Sequence, residues 1–134
     1  MDNCVFCKII KGEIPCYKIY ENEFVLAFLD ITPISKGHTL VIPKKHFENI
    51  LDCNDLYLCE VTKAIKLISN HYTNKGVHCD GVNIMNATGK AAQQSVFHLH
   101  FHIVPRFVDD GFDTWPKTGY QKEDLTKLAD KLKM

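Results

Sequence analysis

The sequence has no surplus of charge: sixteen Lys and Arg face sixteen Asp and Glu across 134 residues. A protein that grips a polyphosphate backbone needs a basic excess, so no nucleic-acid partner is expected. Long apolar runs are also missing. The longest, residues 24–29, is far too short to span a bilayer, and no membrane association is expected. The opening Met1-Asp2-Asn3-Cys4 lacks a basic stretch followed by an apolar one, so no secretory leader is expected either. Proline and glycine are sparse, with five and seven, and nothing repeats, so no linker or domain boundary is drawn within 1–134. What is present is ordinary: 46% hydrophobic and 24% charged residues, in a length suited to one domain with its own core.

Six cysteines stand at positions 4, 7, 16, 53, 59 and 79. Without an export signal they read as reduced thiols of a cytoplasmic protein, not as a disulfide framework. Cys16, Cys53, Cys59 and Cys79 read as small hydrophobic filler. Cys4 and Cys7 differ because they are two residues apart, the spacing of half a zinc site.

Strands are expected over 16–20, 24–30, 38–42, 81–86 and 97–104, separated by Pro- and Gly-marked turns. Asn54 or Asp55 caps a helix running to about Tyr72, with Leu58, Val61, Ile65, Ile68 and Tyr72 on one face. A last helix is expected over 123–133, opened by acidic residues and closed by lysines. The fold class is therefore α+β. An antiparallel five-stranded meander carries one long helix and a C-terminal helix, packed on one face. Trp115, in the polar tail, reads as a packing residue.

The most informative stretch is His98-Leu99-His100-Phe101-His102-Ile103-Val104. Strand side chains alternate, so three imidazoles project to one side and three hydrophobes to the other. Buried imidazoles need partners for their nitrogens, so this is poor packing material. Either the rings hold a catalytic zinc, or a neutral imidazole attacks phosphorus or an acyl carbon. The neighbours Asn86, Gln94, Ser95 and His38 suit an anionic substrate such as a phosphate. No carboxylate lies close in sequence to serve as the acid–base group of a zinc hydrolase.

Together with Gln94-Ser95-Val96-Phe97 leading into it, this ladder through Val104 resembles the signature of the histidine-triad (HIT) superfamily. Phe6-Cys7-Lys8-Ile9-Ile10, Glu13-Ile14-Pro15, Ala27-Phe28-Leu29-Asp30-Ile31 and Gly37-His38 through His46 resemble its Hint-like branch, in the same order. The resemblance covers a core of about 4–106 and leaves 107–134 as an extension. The loop from 86 to 94 is longer and less glycine-rich than in eukaryotic Hint proteins.

The resemblance implies a nucleotidyl hydrolase or transferase acting at an α-phosphate. His100 would be the nucleophile, forming a covalent nucleotidyl-histidine that water hydrolyses. A carbonyl near His98 would hold the His100 ring. His102 and His38 would line the phosphate pocket, and Ser95, Gln94 and Asn86 would donate hydrogen bonds to phosphate or leaving group. Asp30 would accept from the ribose hydroxyls of a purine nucleotide. Phe6, Ile14, Phe28 and Ile31 would form the base slot. By the same resemblance Cys4, Cys7, His46 and His98 would bind a structural zinc, with no cofactor required for catalysis. Two unpaired thiols are the alternative. The branch also implies a homodimer with sheets joined edge to edge, and the long helix is apolar enough to face a partner. A nucleoside phosphoramidase is the leading expectation. A dinucleoside polyphosphate hydrolase of the Fhit kind, a nucleotide binder with vestigial catalysis, and a zinc hydrolase are the alternatives.

Overall fold

A computed structural model describes residues 3–134. Five strands, β1 (Lys18–Glu21), β2 (Val25–Leu29), β3 (Thr39–Pro43), β4 (Gly81–Met85) and β5 (Phe101–Arg106), form one antiparallel sheet. The order across it is β1-β2-β3-β5-β4. Only β1 to β3 follow one another as a meander. The chain then crosses the sheet through helix α2 (Asp55–Asn74), lays β4 on the outer edge, and returns with β5 between β3 and β4. A short helix α1 (Val5–Ile10) precedes the sheet, and α3 (Leu125–Leu132) ends the chain.

Helix α2 forms where the sequence places it. Asn54 Oδ1 accepts from the Tyr57 amide at 3.0 Å, the side-chain cap that an unpaired first turn requires. Val61, Ala64, Ile65, Ile68 and Tyr72 are buried at helical spacing. They pack on Val25, Ala27, Val41, Phe101 and Ile103 of the sheet.

The helices do not share one face. Phe6 of α1 packs with Leu26, Phe28, Leu40 and Ile42 on the face opposite α2. This corrects the one-faced arrangement, and the strands themselves carry the reason. Every residue of β3 is buried, and so are the first four of β2. A sheet wetted on one side alternates apolar with polar, whereas a sheet covered on both sides reads as a continuous apolar run. Helix α1 itself is not legible in the sequence. It has six residues, too few to hold alone in water, and its cap is the unusual Cys4, whose Sγ accepts from the Cys7 amide at 3.3 Å. It stands because Phe6 meets Phe28 edge-on, ring centres 5.6 Å apart.

The last strand starts later than the alternation suggests. Over residues 97–100 the chain leaves the ladder, since the Leu99 amide donates to Phe47 O (2.7 Å) and Asn86 Nδ2 donates to His100 O (2.9 Å). Alternation of side chains persists: Leu99, Phe101 and Ile103 stay in the α2-side core. Before β3, Gly37 adopts φ +88 and sets the turn; a Cβ there would lie 3.2 Å from Pro105 Cγ.

The extension is tied down at its start. Arg106 donates to both Asp110 carboxylate oxygens (2.7 and 2.8 Å), to Asn83 Oδ1 (2.9 Å) and to the Phe112 carbonyl. Beyond it Trp115 is 80% exposed, not packed as expected. No side chain of α3 is buried among the described residues. No helix among them is long and apolar enough to cross a membrane.

Candidate functional site

On the α1 face lies a cleft of about 310 Å³. Phe6, Ile14, Phe28 and Ile31 form apolar wall, and Asp30, His100, His102 and the exposed Ser95 complete the lining. Ile31 is 82% exposed and belongs to the mouth. Cys16, expected as filler, is also on the cleft wall. Cys59, given the same reading, is exposed.

The three ladder histidines part company. His98 is fully buried and does not line the cleft. Its Nε2 lies 2.9 Å from the Pro43 carbonyl, which can only accept, so Nε2 carries the proton. The Nδ1 lone pair is left facing Cys4 Sγ (3.4 Å) and Cys7 Sγ (3.5 Å). The backbone carbonyl of the same residue accepts from His100 Nδ1 at 2.8 Å. That bond places the His100 proton on Nδ1 and leaves Nε2 as a bare lone pair. The three rings do not converge on one point, which removes the geometry a zinc hydrolase built on them would need.

His102 is held in the opposite tautomer. The Ile34 amide donates to His38 Nδ1 at 3.1 Å, so the neutral His38 ring carries its proton on Nε2. That nitrogen is 2.8 Å from His102 Nδ1, which must accept. His102 therefore keeps its own proton on Nε2. Neighbouring rings thus present one acceptor (His100) and one donor (His102). Asp30 Oδ2 lies 3.5 Å from His38 Nε2, while Oδ1 accepts from the Thr32 amide at 2.8 Å. Thr32 and Ile34 carry no motif, and only the folded turn reveals their part.

Burial keeps these rings neutral. It pushes His102 down to about 4, with the His100 and His38 rings adding to the shift. It lowers His100 against the opposing pull of the His98 carbonyl and the Asp30 charge. His38 is lowered by burial too, against the Asp30 charge.

Two expected phosphate donors are engaged within the chain, Gln94 through both amide hydrogens and Asn86 through one. Gln94 Nε2 donates to Glu48 O (2.7 Å) and Val96 O (3.0 Å), and its Oε1 accepts from the Gly89 amide (2.8 Å). Its amide is saturated and does not line the cleft. Asn86 sits behind His100 on the carbonyl of that residue and takes a bond from Thr88 Oγ1 at 3.0 Å. Both help to shape the site.

Cys4, Cys7, His46 and His98 offer four donor atoms that all lie within 4.8 Å of one another. Cys7 Sγ is 3.3 Å from His46 Nδ1. A tetrahedral zinc with ordinary Zn–S and Zn–N bonds has S···N edges of about 3.5 Å. The 3.3–3.5 Å contacts match such edges. The His98 Nε2 bond to Pro43 O is the outer contact that fixes a ligating imidazole. Burial and the Cys4 thiol push Cys7 up to about 11, so a cation must displace a tightly held proton there. The donor set, two thiols and two imidazoles, fits zinc.

The HIT domain family model matches residues 11–109. An uncharacterized HIT-like protein of Borreliella burgdorferi is 52% identical over 114 residues, covering 84% of this chain and 81% of that protein. The adenosine 5'-monophosphoramidase hnt1 of Schizosaccharomyces pombe is 36% identical over 132 residues, covering 97% and 96%. The crystal structure of a Zn-bound histidine triad family protein from Mycobacterium smegmatis superposes with TM-score 0.81 at 40% identity, covering 87% of this chain and 84% of that one. With the ladder, the cleft and these matches in agreement, the chain belongs to the HIT family.

Proposed function

We propose that this HIT-family hydrolase is a nucleoside phosphoramidase, cleaving the P–N bond at the α-phosphate of a purine nucleotide through a covalent intermediate on His100. The observation that carries the reading is the pair of opposite tautomers. The bare Nε2 of His100 is the nucleophile, and the N–H of His102 steadies charge gathering on the phosphoryl oxygens. The His100 lone pair forms the bond to phosphorus as the P–N bond breaks. The departing nitrogen takes a proton from water, and the exposed Ser95 hydroxyl on the cleft lining is the side-chain donor assigned to it. Water then displaces His100 and gives the free monophosphate. Asp30 accepts from the ribose, and Phe6, Ile14, Phe28 and Ile31 hold the base. His38 acts by fixing the His102 tautomer. The fungal relative named for adenosine 5'-monophosphoramidase activity supports the choice of bond.

The test compares AMP release from adenosine phosphoramidate and from diadenosine polyphosphate. Faster cleavage of the phosphoramidate is expected; preference for the dinucleotide overturns the choice of leaving group. Folded protein with nucleotide affinity and no turnover would make it a binder.

Zinc at Cys4, Cys7, His46 and His98 is structural in this reading, because four protein donors leave no open position. Its chemistry is to join α1 to the loop after β3 and to the triad segment. About one zinc per chain is expected in protein purified without chelator, and none would overturn it. The protein is read as a homodimer joined along the β4 edge, where Ile84 is exposed; a monomer mass by light scattering would remove that. Its free cysteines suit a reducing cytoplasm.

A further inference from the structure

A second cavity, of about 520 Å³, lies beside the cleft and shares Val5, Ser95 and Val96 with it. Its other walls include Asn3, His46, Glu48 and Phe97. The proposed chemistry gives the cleft an occupant from base to α-phosphate. It leaves open where the rest of a substituted leaving group goes. An in-line displacement expels that group on the side of phosphorus away from the attacking nitrogen. The base slot is already filled, and Ser95 lines both spaces, so the second cavity is the open space adjoining the cleft that such a group could enter.

Glu48 is the charged side chain among its described lining residues. The nearest lysines in sequence are engaged: Lys44 pairs with Glu21 at 2.7 Å, and the Lys45 ammonium lies 5.6 Å from the centre of the Phe47 ring. A zinc ion held by two thiolates and two neutral imidazoles adds no net charge. Glu48 stands on a fixed backbone. Its amide donates to Asp52 Oδ2 at 3.0 Å, and its carbonyl accepts from Gln94 Nε2 at 2.7 Å. The same Gln94 nitrogen holds Val96 O, which locks the Glu48 wall to the wall shared with the cleft. Phe97, 38% exposed, supplies an apolar surface for an alkyl stem.

We propose that this second cavity is the leaving-group subsite and that Glu48 makes it select amines carrying a positive charge on their far end. The proposal rests on the phosphoramidase reading. A carboxylate at the wall of a partly enclosed cavity attracts an ammonium and repels a carboxylate, each by about severalfold in affinity at such exposure.

The test uses three adenosine phosphoramidates whose N-alkyl chains are equal in length and end in an ammonium, a methyl or a carboxylate. Unsubstituted adenosine phosphoramidate is run beside them. The kcat/KM ratio of ammonium to carboxylate is measured in wild type, Glu48→Gln and Glu48→Lys. Wild type should favour the ammonium by about tenfold at low salt, and the ratio should shrink as salt rises. Glu48→Gln should bring the ratio near one, and Glu48→Lys should invert it. Each ratio is internal to one protein, so a poorly folded variant lowers both values without moving it. Hydrolysis of all four substrates with a ratio that ignores Glu48 overturns the subsite and leaves the phosphoramidase reading standing. Release of no AMP even from the unsubstituted compound overturns that reading, and the subsite with it.

Discussion

On the α2 face of the sheet, Val25, Ala27, Val41, Phe101 and Ile103 meet Val61, Ile65 and Ile68. On the α1 face, Leu26, Phe28, Leu40 and Ile42 meet Phe6, and beside them stand His98, His100 and His102. The same strands build both faces, because successive side chains point opposite ways. The α2 face asks little of hydrogen bonding; among the described residues its buried side-chain pair is Thr39 Oγ1 with Tyr72 OH at 2.5 Å. The α1 face must find partners for the imidazole nitrogens it buries: distant thiols and the Pro43 carbonyl serve His98, and the nearby His98 carbonyl serves His100 Nδ1, while His100 Nε2 keeps its lone pair. One face supplies cohesion, and the other uses that cohesion to hold polar groups in fixed protonation states. Substitutions on the two faces should therefore fail in different ways.

The sharpest contrast is His100→Ala. Turnover should fall by about a thousandfold or more, with unfolding little changed, as single-turnover AMP release and a urea melt would show. A wild-type rate would end the assignment of the nucleophile. On the other face Ile103→Ala removes a fully buried side chain, and should cost about 2–5 kcal/mol of stability in the same melt. A loss below about 1 kcal/mol would show that the α2 face is not the stabilising one.

Acid should expose the difference more mildly. His102 falls from an ordinary histidine value to about 4 in the folded protein. Between about 6.5 and 4 the unfolded chain binds a proton that the folded ring refuses. Stability therefore drops as pH falls through that window and levels below it. Urea midpoints across the window should show this slope, and His102→Gln should make it shallower, the remainder belonging to His98, His100 and His38, which burial also lowers. An equally steep slope in that variant would refute the cause.

The smallest effect belongs to α3, which buries nothing among the described residues. Leu132, 66% exposed, should tolerate Ser within about 0.5 kcal/mol. A larger loss would mean that α3 has a docking surface in solution.

The long helix was legible because its cap and its apolar spacing are both local signals, from Asn54 through Tyr72. The strands were legible to within a few residues for the same reason. Helix α1 was not, since six residues capped by a cysteine carry no local signal and stand only by packing. The apolar runs of β2 and β3 did announce two-sided burial, and reading them as one-sided missed a rule the residues obeyed. The candidate site divides likewise. Alternation put His100 and His102 on one side of their segment, and both line the cleft. Gln94 and Asn86 carry the right chemistry for donors, yet backbone carbonyls of distant segments claimed them first.

By itself, then, the sequence determined which side chains could face together and which family motif they spell, because periodicity and capping act over a few residues. Only the tertiary structure decided what each polar atom does. The carbonyls of Pro43 and Glu48, the Ile34 amide and the Cys4 and Cys7 thiols reach their histidine or glutamine partners through the fold. A ring nitrogen becomes donor or acceptor according to the neighbour it meets, and most of those neighbours lie many residues away along the chain.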